Sequence, residues 1–135
     1  MVRTILGLTV GAVIACLALV GGHYATAELY PRPLGMDLGT SEALTEFANA
    51  APASALTCTL AAWALAGLAG GWVTAMIAGP HRRATALNIG ALLTAGMIVQ
   101  ATLMPNPEWA VVLGMLLPIP FAVAGSLLAT PRTEF

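Results

Sequence analysis

Residues 18–37 read ALVGGHYATAELYPRPLGMD: an apolar run closes on Ala-Thr-Ala and gives way at once to charge and proline. Two readings compete for this stretch. In one it is the cut site of a secretory signal peptide, with Arg3 as the positive start, residues 5–20 as the apolar stretch and Ala25-Thr26-Ala27 as the small-residue cleavage motif. A lipoprotein variant of that reading places a loose lipobox at Val13-Ile14-Ala15-Cys16. In the other reading the stretch is the outer end of a helix that stays in the membrane. The choice decides whether the fold has three spans or four.

The rest of the chain supplies the context. Of its 135 residues 59% are apolar and only 8% charged, with a mean hydropathy of +0.87, whereas soluble domains are about a quarter charged. This is the composition of a membrane protein. There is no lysine, and five arginines stand against six acids, so no basic face exists to neutralise the phosphates of a nucleic acid. Cys16 and Cys58 both fall inside apolar runs and form no CxxC, which reads as two small buried hydrophobes rather than redox or metal chemistry.

A spanning helix needs about 20 mainly apolar residues. Four runs qualify, at about 4–28, 53–78, 84–104 and 108–130, joined by an outer loop at 29–52. Pro31, Pro52, Pro80, Pro105, Pro107 and Pro131 sit at their edges, where a missing N–H costs least. Positive side chains near span ends are retained in the cytoplasm. Arg3, Arg82, Arg83 and Arg132 fall on one side of this arrangement and Arg32 alone on the other. Four spans therefore satisfy the charge rule with both termini cytoplasmic, and residues 1–27 are read as a retained helix.

The expected fold is all-α: a single domain of four transmembrane helices in an antiparallel bundle. Lipid tails are as apolar as leucine, so helices in a bilayer associate where small residues let backbones approach. The first span offers Gly7, Gly11, Ala15, Ala18 and Gly22. The second offers Thr59, Ala62, Ala66, Gly70 and Thr74, with Gly67 and Gly71 beside them; the third has Ala86, Gly90 and Thr94, and the fourth Gly114, Pro118, Ala122, Gly125 and Ala129. Each set recurs at i+3 or i+4 and shares one face. Pro118 and Pro120 lie mid-span and free the carbonyls of Gly114 and Leu116, which predicts a kink.

In the outer loop, TSEALTEFANA (40–50) predicts a short amphipathic helix. Thr40 or Ser41 caps it, Glu42 sits in its first turn, Asn49 ends it, and Leu44, Phe47, Ala48 and Ala51 form its apolar face. That face rests on the membrane surface, crosses the bundle mouth, or docks a partner.

No Asp, Glu, Lys or Arg falls near the middle of any span, although intramembrane charge usually marks function. Small multidrug pumps resemble this chain in size and span number. They use a glutamate in the middle of their first helix, where this chain reads LTVGAVIACLAL. The polar candidates lie nearer the ends: His23, Tyr24 and Glu28 on the first span, Asn88 and Gln100 on the third. His23 and Glu28, five residues apart, point about 140° from one another and make a poor acid–base pair. Tyr24, Tyr30 and Trp109 suit the headgroup level, and Asn88 and Gln100 suit hydrogen bonds to a neighbouring helix. NPEW (106–109) reads as a helix start, with Asn106 capping and Glu108 in the first turn. No catalytic set, cofactor motif or metal-ligand cluster is expected.

Taken together, ELYPRPLGMD, AAWALAGLAGGWVTAMIAGPHRR and LMPNPEW resemble a family of small bacterial inner-membrane proteins with four spans and no assigned activity. The resemblance implies a multi-pass protein of the bacterial inner membrane and carries no catalytic residues with it. The expectation is a non-enzymatic protein whose partners are the bilayer and other membrane subunits or itself, acting as an accessory or structural subunit of a larger complex. The alternative is a homo-oligomeric channel or carrier for a neutral or apolar molecule, built on the kinked fourth span and the amides of Asn88 and Gln100.

Overall fold

The computed structural model describes residues 1–31, 39–50, 52–103 and 107–129, and every regular element among the described residues is helical. Pro105 and Asn106 of the expected outer turn, together with Arg32, Asp37 and Arg132, lie outside them. Helix α1 is Val2–Leu29, 28 residues without a break. At about 1.5 Å per residue it is about 42 Å long, more than a hydrocarbon core of about 30 Å. Its last turns therefore reach past the apolar layer if it crosses a membrane.

A short helix, α2 (Ser41–Asn49), follows, with Glu42 in its first turn. Its N-cap is Thr40, whose Oγ1 accepts the Ala43 N–H at 3.2 Å. Phe47 stacks on Tyr30 with ring centroids 4.7 Å apart. The Tyr30 hydroxyl donates to the Phe47 carbonyl at 3.1 Å, so one aromatic pair ties α2 to the end of α1. The side chains of Leu44 and Ala48, expected on the apolar face of α2, lie outside the described ones, as does Ala51.

Helix α3 (Ala53–Ala78) ends at Gly79, the only described residue with positive φ, at +71°. A side chain there would be strained, and glycine followed by proline stops a helix. A 3₁₀ turn (Gly79–His81) leads into α4 (Arg82–Leu103). The Arg82 Nε–H donates to the Gly79 carbonyl at 3.0 Å and pins the turn. The chain doubles back: Gly70 lies against Ile89, and Gly96 against the ring of Trp63.

The last apolar run is divided at Leu117, just before the first of its two prolines, into α5 (Glu108–Leu116) and α6 (Pro118–Leu128). Leu117 keeps helical angles and the Leu117 N–H still donates to Leu113 at 2.9 Å. Beside this division the Met115 carbonyl accepts the Thr94 hydroxyl of α4 at 3.1 Å.

Three helical stretches are long and apolar enough to cross a membrane: Val2–Leu29, Ser54–Leu103, which contains α3, the turn and α4, and Glu108–Leu128. Their most apolar windows are 17%, 56% and 28% buried respectively. Helix α3, with about half its residues buried, thus forms the centre, and α1 is outermost. Helix α3 touches α1, α4, α5 and α6. Ala15, Trp63, Ala66, Ile89, Leu93 and Met97 form the buried cluster where α1, α3 and α4 meet.

Small residues stand where backbones meet. A Cβ on Gly7 would lie 2.9 Å from the Thr74 carbonyl oxygen, and one on Gly11 would lie 2.8 Å from that of Gly70 and collide with Thr74 Oγ1. One on Gly67 would lie 2.8 Å from the Pro118 oxygen, and one on Gly71 would strike the Ala122 backbone. Thr74 Oγ1 is the one buried side-chain polar atom without a hydrogen-bond partner among the described residues. The hydrogen Gly11 carries in place of a side chain points at it, a weak Cα–H···O contact of the kind found where helices approach closely. Other hydroxyls bond their own helix, as Thr85 does to His81 at 2.6 Å and Ser126 to Val123 at 2.6 Å. In lipid such pairing removes a group that nothing else would satisfy.

Candidate functional site

The positions of the charged side chains define two ends. Arg3 lies beside Gly79, and Arg82 Nη1 reaches the Ala129 carbonyl at 3.5 Å, so the described arginines, Arg3, Arg82 and Arg83, gather at the end holding the α3–α4 turn. The described carboxylates, Glu28, Glu42, Glu46 and Glu108, belong to the other end, where α1 finishes, α2 is tethered and α5 begins. Pro107 occupies the cap position of α5.

At the carboxylate end α1 presses on α3 and then parts from α4. A Cβ on Gly22 would collide with the Ala62 side chain, so the helices nearly touch there. One turn on, the hydroxyl oxygens of Thr26 and Thr59 face each other across the interface at 3.2 Å. Each hydroxyl also contacts its own helix, Thr26 to Gly22 at 2.9 Å and Thr59 to Ala55 at 3.1 Å. On the α4 side the large ring of Trp63 spreads against Gly96 and holds the helices apart. What remains is a cleft of about 550 Å³.

His23, Tyr24 and Gln100 line this cleft together. Gln100 is half-buried, whereas His23 is exposed and Tyr24 is 70% exposed. Leu19, Val20 and Trp63 supply apolar walls, and no charged side chain takes part in the lining. The available polar groups are an amide, an imidazole and a phenol, all able to donate, while both threonines are engaged with their own backbones. Such a site suits a neutral group with hydrogen-bond acceptors.

Glu28 is exposed beyond the cleft and does not line it, so the lining brings His23 and Gln100 together without Glu28. Asn88 is exposed on α4, 12 residues and about 18 Å along the helix from Gln100, and it does not share the cleft. Among the described residues its amide makes no hydrogen bond. Pro118 is buried and Pro120 exposed on α6, and neither lines the cleft. Gly7, Gly11 and Gly70 serve the α1–α3 contact, and Gly67 and Gly71 the α3–α6 contact. Both cysteines are free, Cys16 exposed and Cys58 half-buried. Among the described residues no three His, Cys, Asp or Glu side chains are grouped to hold a metal ion.

Sequence reasoning passed over Trp63, Thr26 and Val20 as parts of the site. Trp63 carries a readable signal: it is the one aromatic residue at mid-helix in α3 that packs inward, and it faces a glycine in α4. The level at which Gly22 and Thr26 meet Ala62 and Thr59 depends on helix register, which composition does not supply. No family model, curated protein or solved structure matches the chain.

Proposed function

We propose that this chain is a four-span protein of the bacterial inner membrane, of the kind its loop and glycine motifs resemble, working by association with other membrane-embedded subunits rather than by catalysis. In this reading α1, α3, α4 and the α5–α6 run each cross the bilayer in alternating directions. Two observations support the alternation. Gly7 lies against Ala78 while Gly22 lies against Ala62, so α1 and α3 are antiparallel; Gly90 lies against Ile119 and Gly114 against Met97, so α4 and α5–α6 are too. The gathering of Arg3, Arg82 and Arg83 at one end supports an orientation in which the start of α1 and the end of α6 face the cytoplasm.

The single observation that carries association is Asn88. It sits one to two turns inside α4, with Ala84, Ala91 and Ala95 on the same exposed side of the helix. A carboxamide facing lipid is costly, and it is relieved by an amide or carbonyl on another helix. The flanking alanines let such a helix come close. Since Asn88 finds no partner among the described residues, the helix it fits belongs, in this reading, to another subunit.

Native mass spectrometry of gently solubilised membranes tests this directly. Release with other subunits at fixed stoichiometry gives an accessory role and names the partner; release as a multimer gives self-association. Asn88→Leu is expected to weaken either assembly, by about threefold to thirtyfold if one interhelical hydrogen bond of about 0.6–2 kcal/mol is lost. A wild-type chain released only as a monomer across all detergent levels would end this reading.

A further inference from the structure

The cleft at His23 and Gln100 does not stand alone. A second, shallow and open groove runs along α1, lined by Leu8, Ala12, Cys16, Leu17 and Val20 with Leu92 of α4 opposite. Val20 belongs to both, and each is walled by α1 with one residue of α4 across from it, Gln100 or Leu92; Thr59, Ala62 and Trp63 of α3 floor the cleft. Cleft and groove are two parts of one furrow, which opens because α1 and α4 meet only sparsely. From Leu8 to Thr26 the furrow follows 18 residues of α1, about 27 Å, close to the thickness of a hydrocarbon core of about 30 Å.

The furrow is zoned by chemistry. Its long part is apolar; the Thr9 hydroxyl in it is committed to the Ile5 carbonyl at 2.9 Å. Its short part holds His23, Tyr24 and Gln100 beside the flat ring of Trp63, at the end where α1 outruns the hydrocarbon layer. No arginine lies at this end among the described residues, while Glu28 lies one turn beyond the cleft. Repulsion from that carboxylate disfavours a phosphate headgroup.

We propose that the furrow between α1 and α4 binds a prenylquinone, a neutral flat ring with carbonyl acceptors and a single apolar tail. The ring lies in the cleft against Trp63, with its carbonyls accepting from the Gln100 amide and the His23 imidazole. The tail runs down the apolar groove past Val20 and Leu92. The site is independent of Asn88, so it stands or falls separately from assembly with other subunits.

The probe is decylubiquinone added to the full-length protein in phosphatidylcholine nanodiscs, in a Trp72→Phe, Trp109→Phe background that leaves Trp63 as the reporter. Quinones quench indole fluorescence on close approach, and the expected signal is saturable quenching. Gln100→Leu is expected to raise the half-saturation point about fivefold to tenfold through loss of a buried hydrogen bond. His23→Phe, at an exposed position, is a second variant with the same expected direction should Gln100→Leu fail to fold. Ala12→Phe, which fills the groove, is expected to weaken decylubiquinone but not the same ring without its tail. Quenching that rises linearly without saturation, or that is unchanged in every variant, would overturn the proposal. So would saturable displacement by dioleoylglycerol at lower concentration than decylubiquinone, which would make the occupant a neutral glycerolipid.

Discussion

Helix α1 meets its two neighbours in opposite ways. Against α3 it presents Gly7, Gly11 and Gly22, and at the first two of these its backbone reaches that of the partner. Towards α4 it presents Leu8, Leu17 and Val20, and a furrow is left between the helices. Both faces are apolar, so hydrophobicity does not separate them. In water the second face would have been driven shut; in a bilayer lipid covers it as well as leucine does, and only close packing and polar contacts draw helices together. The difference teaches that on α1 the glycines facing α3 mark where helices are joined, and bulky aliphatic side chains mark where they are left apart.

The sharpest way to break that comparison is at the closest join. Gly71 faces the Ala122 backbone, which cannot swing aside as a side chain would. Gly71→Val is expected to cost about 3 kcal/mol or more, at or beyond the upper end of overpacking penalties, and to displace α6 from α3. Reversible unfolding in mixed detergent micelles measures it. A loss below about 1 kcal/mol would mean that α6 is not seated on α3 as described.

Next in size is Gly11→Ala, expected to cost about 1–3 kcal/mol because the new methyl meets Thr74 Oγ1 and the Gly70 carbonyl. Thr74→Ala removes the first obstacle and leaves the second. The double variant should therefore recover part of the loss, a coupling energy that a double-mutant cycle reads directly. Purely additive losses would show that the two residues do not touch.

Much of this fold was legible in the sequence, and the reason is physical. Helix ends follow from local chemistry: Thr40 caps, Gly79 with Pro80 breaks, and Pro118 starts α6, each within a few residues of its signal. The glycines on α1 and α3 could be read as places of close approach from spacing alone. The cleft was less legible. His23, Tyr24 and Gln100 were visible as polar residues near one end, but their meeting depends on α1 and α4 being in parallel register, and Glu28, equally visible, falls outside. Asn88 shows the limit most plainly. Its spacing suits an interhelical bond, yet which side of α4 the other helices cover is a property of the whole fold, and they leave that side open.

A smaller effect tests how far polar contacts rather than glycines hold a join. The Thr94 hydroxyl donates to the Met115 carbonyl beside the division of the last run, at 3.1 Å. Thr94→Val keeps the shape and removes the donor. It is expected to cost about 0.6 kcal/mol and at most about 2, measured by the same unfolding titration. No change would mean that the carbonyl is satisfied another way and that the join is held by packing alone.

The smallest effect is the most informative about α1 itself. Gly21 precedes Gly22 in the same helix, but a Cβ built on it meets nothing within 4 Å, whereas one on Gly22 collides with Ala62. Gly21→Ala thus tests glycine without an interface: it removes only backbone freedom and is expected to be neutral or stabilising by up to about 1 kcal/mol. Gly22→Ala, one position on, must push Ala62 away and is expected to destabilise. Opposite signs from adjacent glycines would tie the cost to contact with α3 rather than to helix propensity. Equal losses at both positions would instead mean that the Gly21 face is also occupied, and α1 would then be held from a side that this chain alone leaves open.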